Sequence, residues 1–140
     1  MSYVRFDTVA FLKDSKLWGS KKARLQQELE FMSELPSVNN ESGVRSGKIS
    51  KPAETMAMRR MKLKEQIAEL ERNEEMLRYG MSTLTNDEKE LVVGLYMTDR
   101  RNGIVVWEWG RKHGLNKDYV YEELRKTLRE MGDKIEARFY

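Results

Sequence analysis

Residues 106–131 read VWEWGRKHGLNKDYVYEELRKTLREM, and this stretch decides the fold. Its second half places Val120, Leu124, Leu128 and Met131, followed by Ile135, at steps of four, four, three and four. That rhythm holds apolar groups on one side of a helix with 3.6 residues per turn. In the first half, Val106, Trp109 and His113 share an inner helical face. Gly110 falls where two crossing helices need a very small residue, and Gly114 where a turn needs a positive φ. Leu115 plugs the turn, Asn116 caps the second helix and Val120 anchors that helix to the first. Two helices joined by a tight turn are the expectation.

Upstream, Thr85 followed by Asp87 and Glu88 predicts an N-cap with acids in the first turn, opening a short helix that runs to Met97. Asp99-Arg100-Arg101-Asn102-Gly103 is turn chemistry. The first 80 residues follow a different grammar. Val4, Phe11, Trp18, Leu25 and Met32 recur every seventh position, with Leu12 and Leu29 widening the stripe. Such spacing on a charged background predicts a long helix packed in coiled-coil fashion. Gly19-Ser20 is a place where it bends or divides, and Pro36 ends it. A second heptad starts from Ala53 with Met56, Leu63, Leu70 and Leu77, joined by Ile67, while Arg60 and Glu74 make the seam imperfect. Met56, Met58 and Met61 read as core or seam filler. These two segments form either an antiparallel hairpin or a dimer seam. Between them, the loop 36–52 is rich in Asn, Ser and Gly and too long for a tight turn.

The fold class is therefore all-α: a long coiled-coil-like helical hairpin over 1–80, followed by a C-terminal helix-turn-helix domain over 84–140. Composition agrees. Of 140 residues, 35% are charged and only two are proline, which favours exposed helices with narrow apolar stripes. With no cysteine there is no disulfide, thiol nucleophile or Cys-bound metal. No apolar run is long enough for a membrane span, and Arg5, Asp7, Lys13 and Asp14 break any signal-peptide pattern. The single histidine, His113, reads as a packing residue rather than a ligand or base. Gly43 to Ser50 has the wrong spacing for a phosphate-cradling loop and follows no strand. No catalytic constellation, cofactor motif or metal set is legible, so the expectation is not an enzyme.

The net charge of +3 is unevenly spread. From Leu84 onward 11 basic residues balance 11 acidic ones. Ser42 to Lys64 holds seven basic residues against Glu54 alone, so the excess sits beside the loop.

The stretch from Leu84 to Met131 resembles the sigma-factor region-4-like domain of phage late-transcription regulators of the RinA and ArpU type. The matching residues are Leu84-Thr85-Asn86-Asp87-Glu88 and Val120-Tyr121. Ser42-Gly43-Val44-Arg45-Ser46, then Pro52 and the helix start from Ala53, extend the resemblance over nearly the whole chain. It implies an activator of phage late or packaging genes in the bacterial cytoplasm, which binds double-stranded promoter DNA and contacts RNA polymerase. Homodimerisation through the heptad helices is the companion expectation.

Carried onto this sequence, the resemblance makes the exposed face of the second helix the reader: Lys117, Asp118, Tyr119, Tyr121, Glu122 and Arg125. Arg125 would grip guanine, and Glu122 or Asp118 would accept from a cytosine amino group. Phosphate contacts fall to Arg45, Lys48, Lys51, Arg59, Arg60, Arg100, Arg101, Lys112, Lys126 and Arg129. The chain departs from the family in its acidic reader helix, with Asp118, Glu122 and Glu123. Either the basic loop and helix start supply the attraction to DNA, or the module has turned to a protein partner, as an anti-repressor or inhibitor would. A small-terminase-like packaging protein, which also joins helix-turn-helix to coiled coil, is a further alternative.

Overall fold

The computed structural model describes residues 6–34 and 51–140. The loop residues Arg45 and Lys48, the Pro36 stop and Val4 lie outside the described residues, as does the Lys51 side chain. Among the described residues there are five helices and no strand: α1 (Thr8–Glu34), α2 (Lys51–Ser82), α3 (Asn86–Tyr96), α4 (Asn102–His113) and α5 (Lys117–Phe139). The all-α expectation holds.

Several element boundaries differ from the sequence reading. Gly19 lies within α1, which runs through it as one helix. Pro52 stands in the first turn of α2, where its missing N–H forfeits no helical bond, so the helix starts two residues before Ala53. α4 begins at Asn102 rather than after Gly103. The backbone N–H groups of Ile104 and Val105 both bond to Arg101 O, at 3.1 Å each. Asn102 and Gly103 occupy the first turn, whose donors have no intrahelical partner in any case.

The chain divides into two compact units, Trp18–Arg72 and Met1–Leu17 with Asn73–Tyr140. The division falls inside both long helices and not at residue 80, where the sequence reading placed it. In the first unit the heptad residues meet within one chain. Trp18, Leu25 and Met32 of α1 are buried, as are Leu63, Ile67 and Leu70 of α2. Arg59 donates to Glu28 Oε1 from Nη2 at 2.6 Å and from Nε at 3.0 Å. Arg60 Nη2 donates to the Met32 carbonyl at 2.7 Å, one of the last carbonyls of α1 that its own helix leaves unpaired. These contacts join the end of α1 to the start of α2, as an antiparallel hairpin requires. The methionine reading needs correction: Met58 and Met61 are 65% and 62% exposed. They sit on the side of α2 away from Leu63 and Ile67, so they fill no seam within the hairpin.

In the second unit, the stripe Val120, Leu124, Leu128, Met131 and Ile135 is buried throughout, as the spacing predicts. Each fully buried aliphatic side chain contributes roughly 1.5–3 kcal/mol. Toward its end α2 turns Met76 and Gly80 inward instead of Leu77, which is half-buried. A Cβ on Gly80 would stand 2.7 Å from Ile135 Cδ1 and 2.8 Å from Met131 Cε, so any larger residue would make the ends of these two side chains move. The opening of α1 packs on the same helix. Thr8 Oγ1 donates to the Leu128 carbonyl at 3.1 Å, and Phe6 meets Phe11 edge-on at 4.9 Å.

Gly132 is what allows Thr8 to reach α5, because a Cβ at that position would run into Thr8 Oγ1. Alanine at a helix interior gains about 1 kcal/mol over glycine. Displacing a tightly packed group costs about 1–3 kcal/mol, and orphaning a buried hydroxyl costs about as much again. Gly132→Ala is therefore expected to lower stability in urea denaturation. An equal or higher midpoint would contradict this packing.

Candidate nucleic-acid interface

The corner between α4 and α5 is built from three backbone features. Gly114 closes α4 with φ at +70°, the only positive φ among the described residues. Leu115 N–H bonds back to Gly110 O at 2.8 Å. Asn116 Oδ1 then accepts from the Tyr119 N–H at 3.1 Å and caps α5. Gly110 faces the turn so closely that a Cβ there would lie 2.6 Å from Leu115 O and 3.0 Å from Val120 Cγ2. The roles expected for Gly110, Gly114, Asn116 and Val120 are all met.

α3 holds this corner from behind. Thr85 and Glu88 form a capping box in which Glu88 Oε1 accepts from the Thr85 N–H at 2.8 Å. The other carboxylate oxygen accepts from Thr127 Oγ1 of α5 at 3.0 Å. One side chain thus ends a helix and pins another. Trp109 Nε1 donates to the Asp87 carbonyl at 2.9 Å, and His113 lies over the Trp109 ring at 4.1 Å. His113 is half-buried, with its Nε2 3.8 Å from Asp87 Oδ1, which fits a packing role. None of the ties from Glu88, Trp109 or Thr127 was part of the sequence reading, because periodicity reveals faces and not partners. The Thr85–Glu88 spacing is the one signal that pointed there.

The corner presents the first turns of α5 outward. Lys117, Asp118, Tyr119, Glu122 and Arg125 are exposed, and with Asn116 and Tyr121 all but Lys117 line one open depression. Tyr121 is half-buried rather than free; burial first, and then Tyr121 beside it, push the Tyr96 phenol pKa above its ordinary value. Arg125 also borders a second depression beside Arg129, Leu128 and the Phe6–Val9 stretch. Five of the six residues read as one surface are thus brought together, with Tyr121 at the inner edge and Lys117 exposed outside the depression.

The cations read as phosphate contacts separate into two groups. Arg100 pairs with Glu108, Lys112 with Glu90 at 2.9 Å, and Arg59 with Glu28. Hydrogen bonding to Glu90 raises the Lys112 ionisation above its ordinary value. Arg60 is turned to the Met32 carbonyl. Arg101, Lys126 and Arg129 remain exposed on the unit that carries α5. Of the two tryptophans of α4, Trp109 is buried, whereas Trp107 is 62% exposed with the Arg111 guanidinium 5.3 Å from its ring centre.

No known protein family, curated protein or solved structure matches this chain. Among the described residues no helix is long and apolar enough to cross a membrane.

Two substitutions test the corner. Gly110→Ala drives a Cβ against a backbone carbonyl that has no rotamer to escape into. A loss of about 1–3 kcal/mol is expected from denaturant titration; a neutral result would mean that the turn is not built this tightly. The bond from the Thr85 N–H, helped by Thr127, holds the Glu88 carboxyl below its ordinary value of 4.5. Its contribution to stability is therefore complete above pH 4.5 and lost as pH falls through the lower folded-state value. The stability gap between the natural chain and Glu88→Gln should close over that acid range. A gap of constant size throughout would remove Glu88 from this role.

Proposed function

We propose that this protein binds double-stranded DNA through the exposed face of α5 and acts as a transcriptional regulator of phage late or packaging genes. The observation that carries the DNA reading is the rigid presentation of that face. Gly110, Gly114 and Asn116 fix the entry of α5, and its first turns project Lys117, Asp118, Tyr119, Glu122 and Arg125 from a surface braced by α3. A helix of this kind enters the major groove with its N-terminal side chains toward base edges. Arg125 is the residue suited to bidentate contact with guanine, and Asp118 and Glu122 suit cytosine amino groups. Exposed Lys126, Arg129 and Arg101 lie on the same unit and supply phosphate contacts. The assignment to late genes, a bacterial cytoplasm and contact with RNA polymerase rests on the resemblance of Leu84–Met131 to RinA/ArpU-type regulators.

A protein-binding module is the second reading, and the charge pairing favours it. Arg100, Lys112 and Arg59 are each matched to a carboxylate of this chain, which leaves less positive field for phosphates.

Selection of bound sites from random and phage DNA, followed by gel shift, separates the two. DNA binding requires an enriched motif, and Arg125→Ala should then cost about 1–3 kcal/mol on that motif and relax one base position. Absence of any shift at low salt would sink the DNA reading, and an unaffected Arg125→Ala would remove α5 as the reader.

A further inference from the structure

α4 is packed on two sides and open on a third. Val105 and Trp109 face α3: the indole N–H reaches the Asp87 carbonyl at 2.9 Å, and a Cβ on Gly94 would stand 2.7 Å from Val105 Cγ1. Gly110 faces Leu115 of the turn and Val120 of α5. Ile104, Trp107 and Arg111, at steps of three and four, share the remaining face. Ile104 and Trp107 are 47% and 62% exposed, although the chain's other two tryptophans, Trp18 and Trp109, are buried. The Arg111 guanidinium lies over the Trp107 ring.

The balanced charge of residues 84–140 is unevenly distributed around this face. Residues 100–112 hold Arg100, Arg101, Arg111 and Lys112 against Glu108, whereas residues 84–99 hold Asp87, Glu88, Glu90 and Asp99 against Lys89. Internal pairing removes part of the cationic excess. Arg100 takes Glu108, Lys112 takes Glu90, and Asp99 lies 3.5 Å from Lys16. Arg101 and Arg111 are exposed and, among the described residues, have no carboxylate within ion-pair distance. These two cations bracket Ile104 and Trp107 along α4, so the face joins bare apolar surface to uncompensated positive charge.

A second copy seated on this face would set Arg101 and Arg111 against the same cations, which disfavours self-pairing. Phosphates would take the two arginines but leave Ile104 and Trp107 without an apolar partner. Tryptophan and arginine grouped with an aliphatic side chain is instead the composition found at the centre of a protein–protein contact. We infer that the Ile104–Trp107–Arg111 face docks an acidic segment of another protein. Such a segment sets an apolar side chain on Trp107 and carboxylates on Arg101 and Arg111. Neither Trp107 nor Arg111 lines the α5 depression, so this contact does not rest on the DNA reading.

The test uses the full chain and a library of random, tryptophan-free peptides displayed on yeast. Enriched peptides should carry net negative charge and at least one large apolar residue. Such a peptide, synthesised and titrated in, should change the emission of Trp107, the one exposed tryptophan. Its affinity should fall about tenfold or more in Trp107→Ala and in Arg111→Glu, and stay unchanged in Arg125→Ala. Both altered positions are exposed, so helix content by circular dichroism should match the natural chain in each. Failure to enrich acidic peptides overturns the proposal, as does an enriched peptide that binds Trp107→Ala and Arg111→Glu at full strength. Random-sequence duplex DNA, titrated separately, should bind Trp107→Ala no differently from the natural chain. A selective loss of DNA binding in that variant would give this face to nucleic acid and overturn the assignment to a protein.

Discussion

Gly110 lies against the carbonyl of Leu115 and a methyl of Val120 with no room for a single added carbon. Nearly everything about the C-terminal unit depends on that approach. It allows α4 and α5 to cross closely enough for Leu115 N–H to return to Gly110 O, and the left-handed Gly114 makes the reversal within one residue. Once the crossing is fixed, the direction of α5 is fixed, and with it the directions in which Asp118, Tyr119, Glu122 and Arg125 project. Functional precision here originates in backbone contact and not in the long polar side chains that would meet a partner.

The second brace is chemical. Glu88 shares its two carboxylate oxygens between the amide that starts α3 and the Thr127 hydroxyl of α5. Forming the first turn of α3 and docking it on α5 therefore stabilise one another. Trp109 repeats the arrangement, with its ring buried in the core and its N–H spent on the Asp87 carbonyl. The Glu88 carboxylate and the Trp109 N–H each have a specific partner, which selects one packing over its near neighbours.

The parts of this fold that are legible in the sequence are the periodic ones. The α5 stripe, the heptads of α1 and the glycine–turn–asparagine corner each follow from spacing, and burial agrees at each. What spacing misses is the identity of the neighbour. Met58 and Met61 look like core by composition, yet they face outward because, among the described residues, α2 has only α1 to pack on within its unit. Leu77 gives way to Met76 because near its end α2 must meet Met131 and Ile135. The exposed face of α5 was legible as a surface, since exposure follows from the same periodicity that buries Val120. Pairing of Arg59, Arg100 and Lys112 with carboxylates was not, because two of the three join different helices and the other spans the turn before α4.

The bond from Thr8 to the Leu128 carbonyl spans 120 positions of sequence. The contacts among α3, α4 and α5 are short-range by comparison and form at small entropic cost. Loop-closure entropy therefore favours local organisation of the C-terminal trio over early docking of the opening turn of α1. The opening turn of α1 has no seat until α5, about 120 residues further along, has been made.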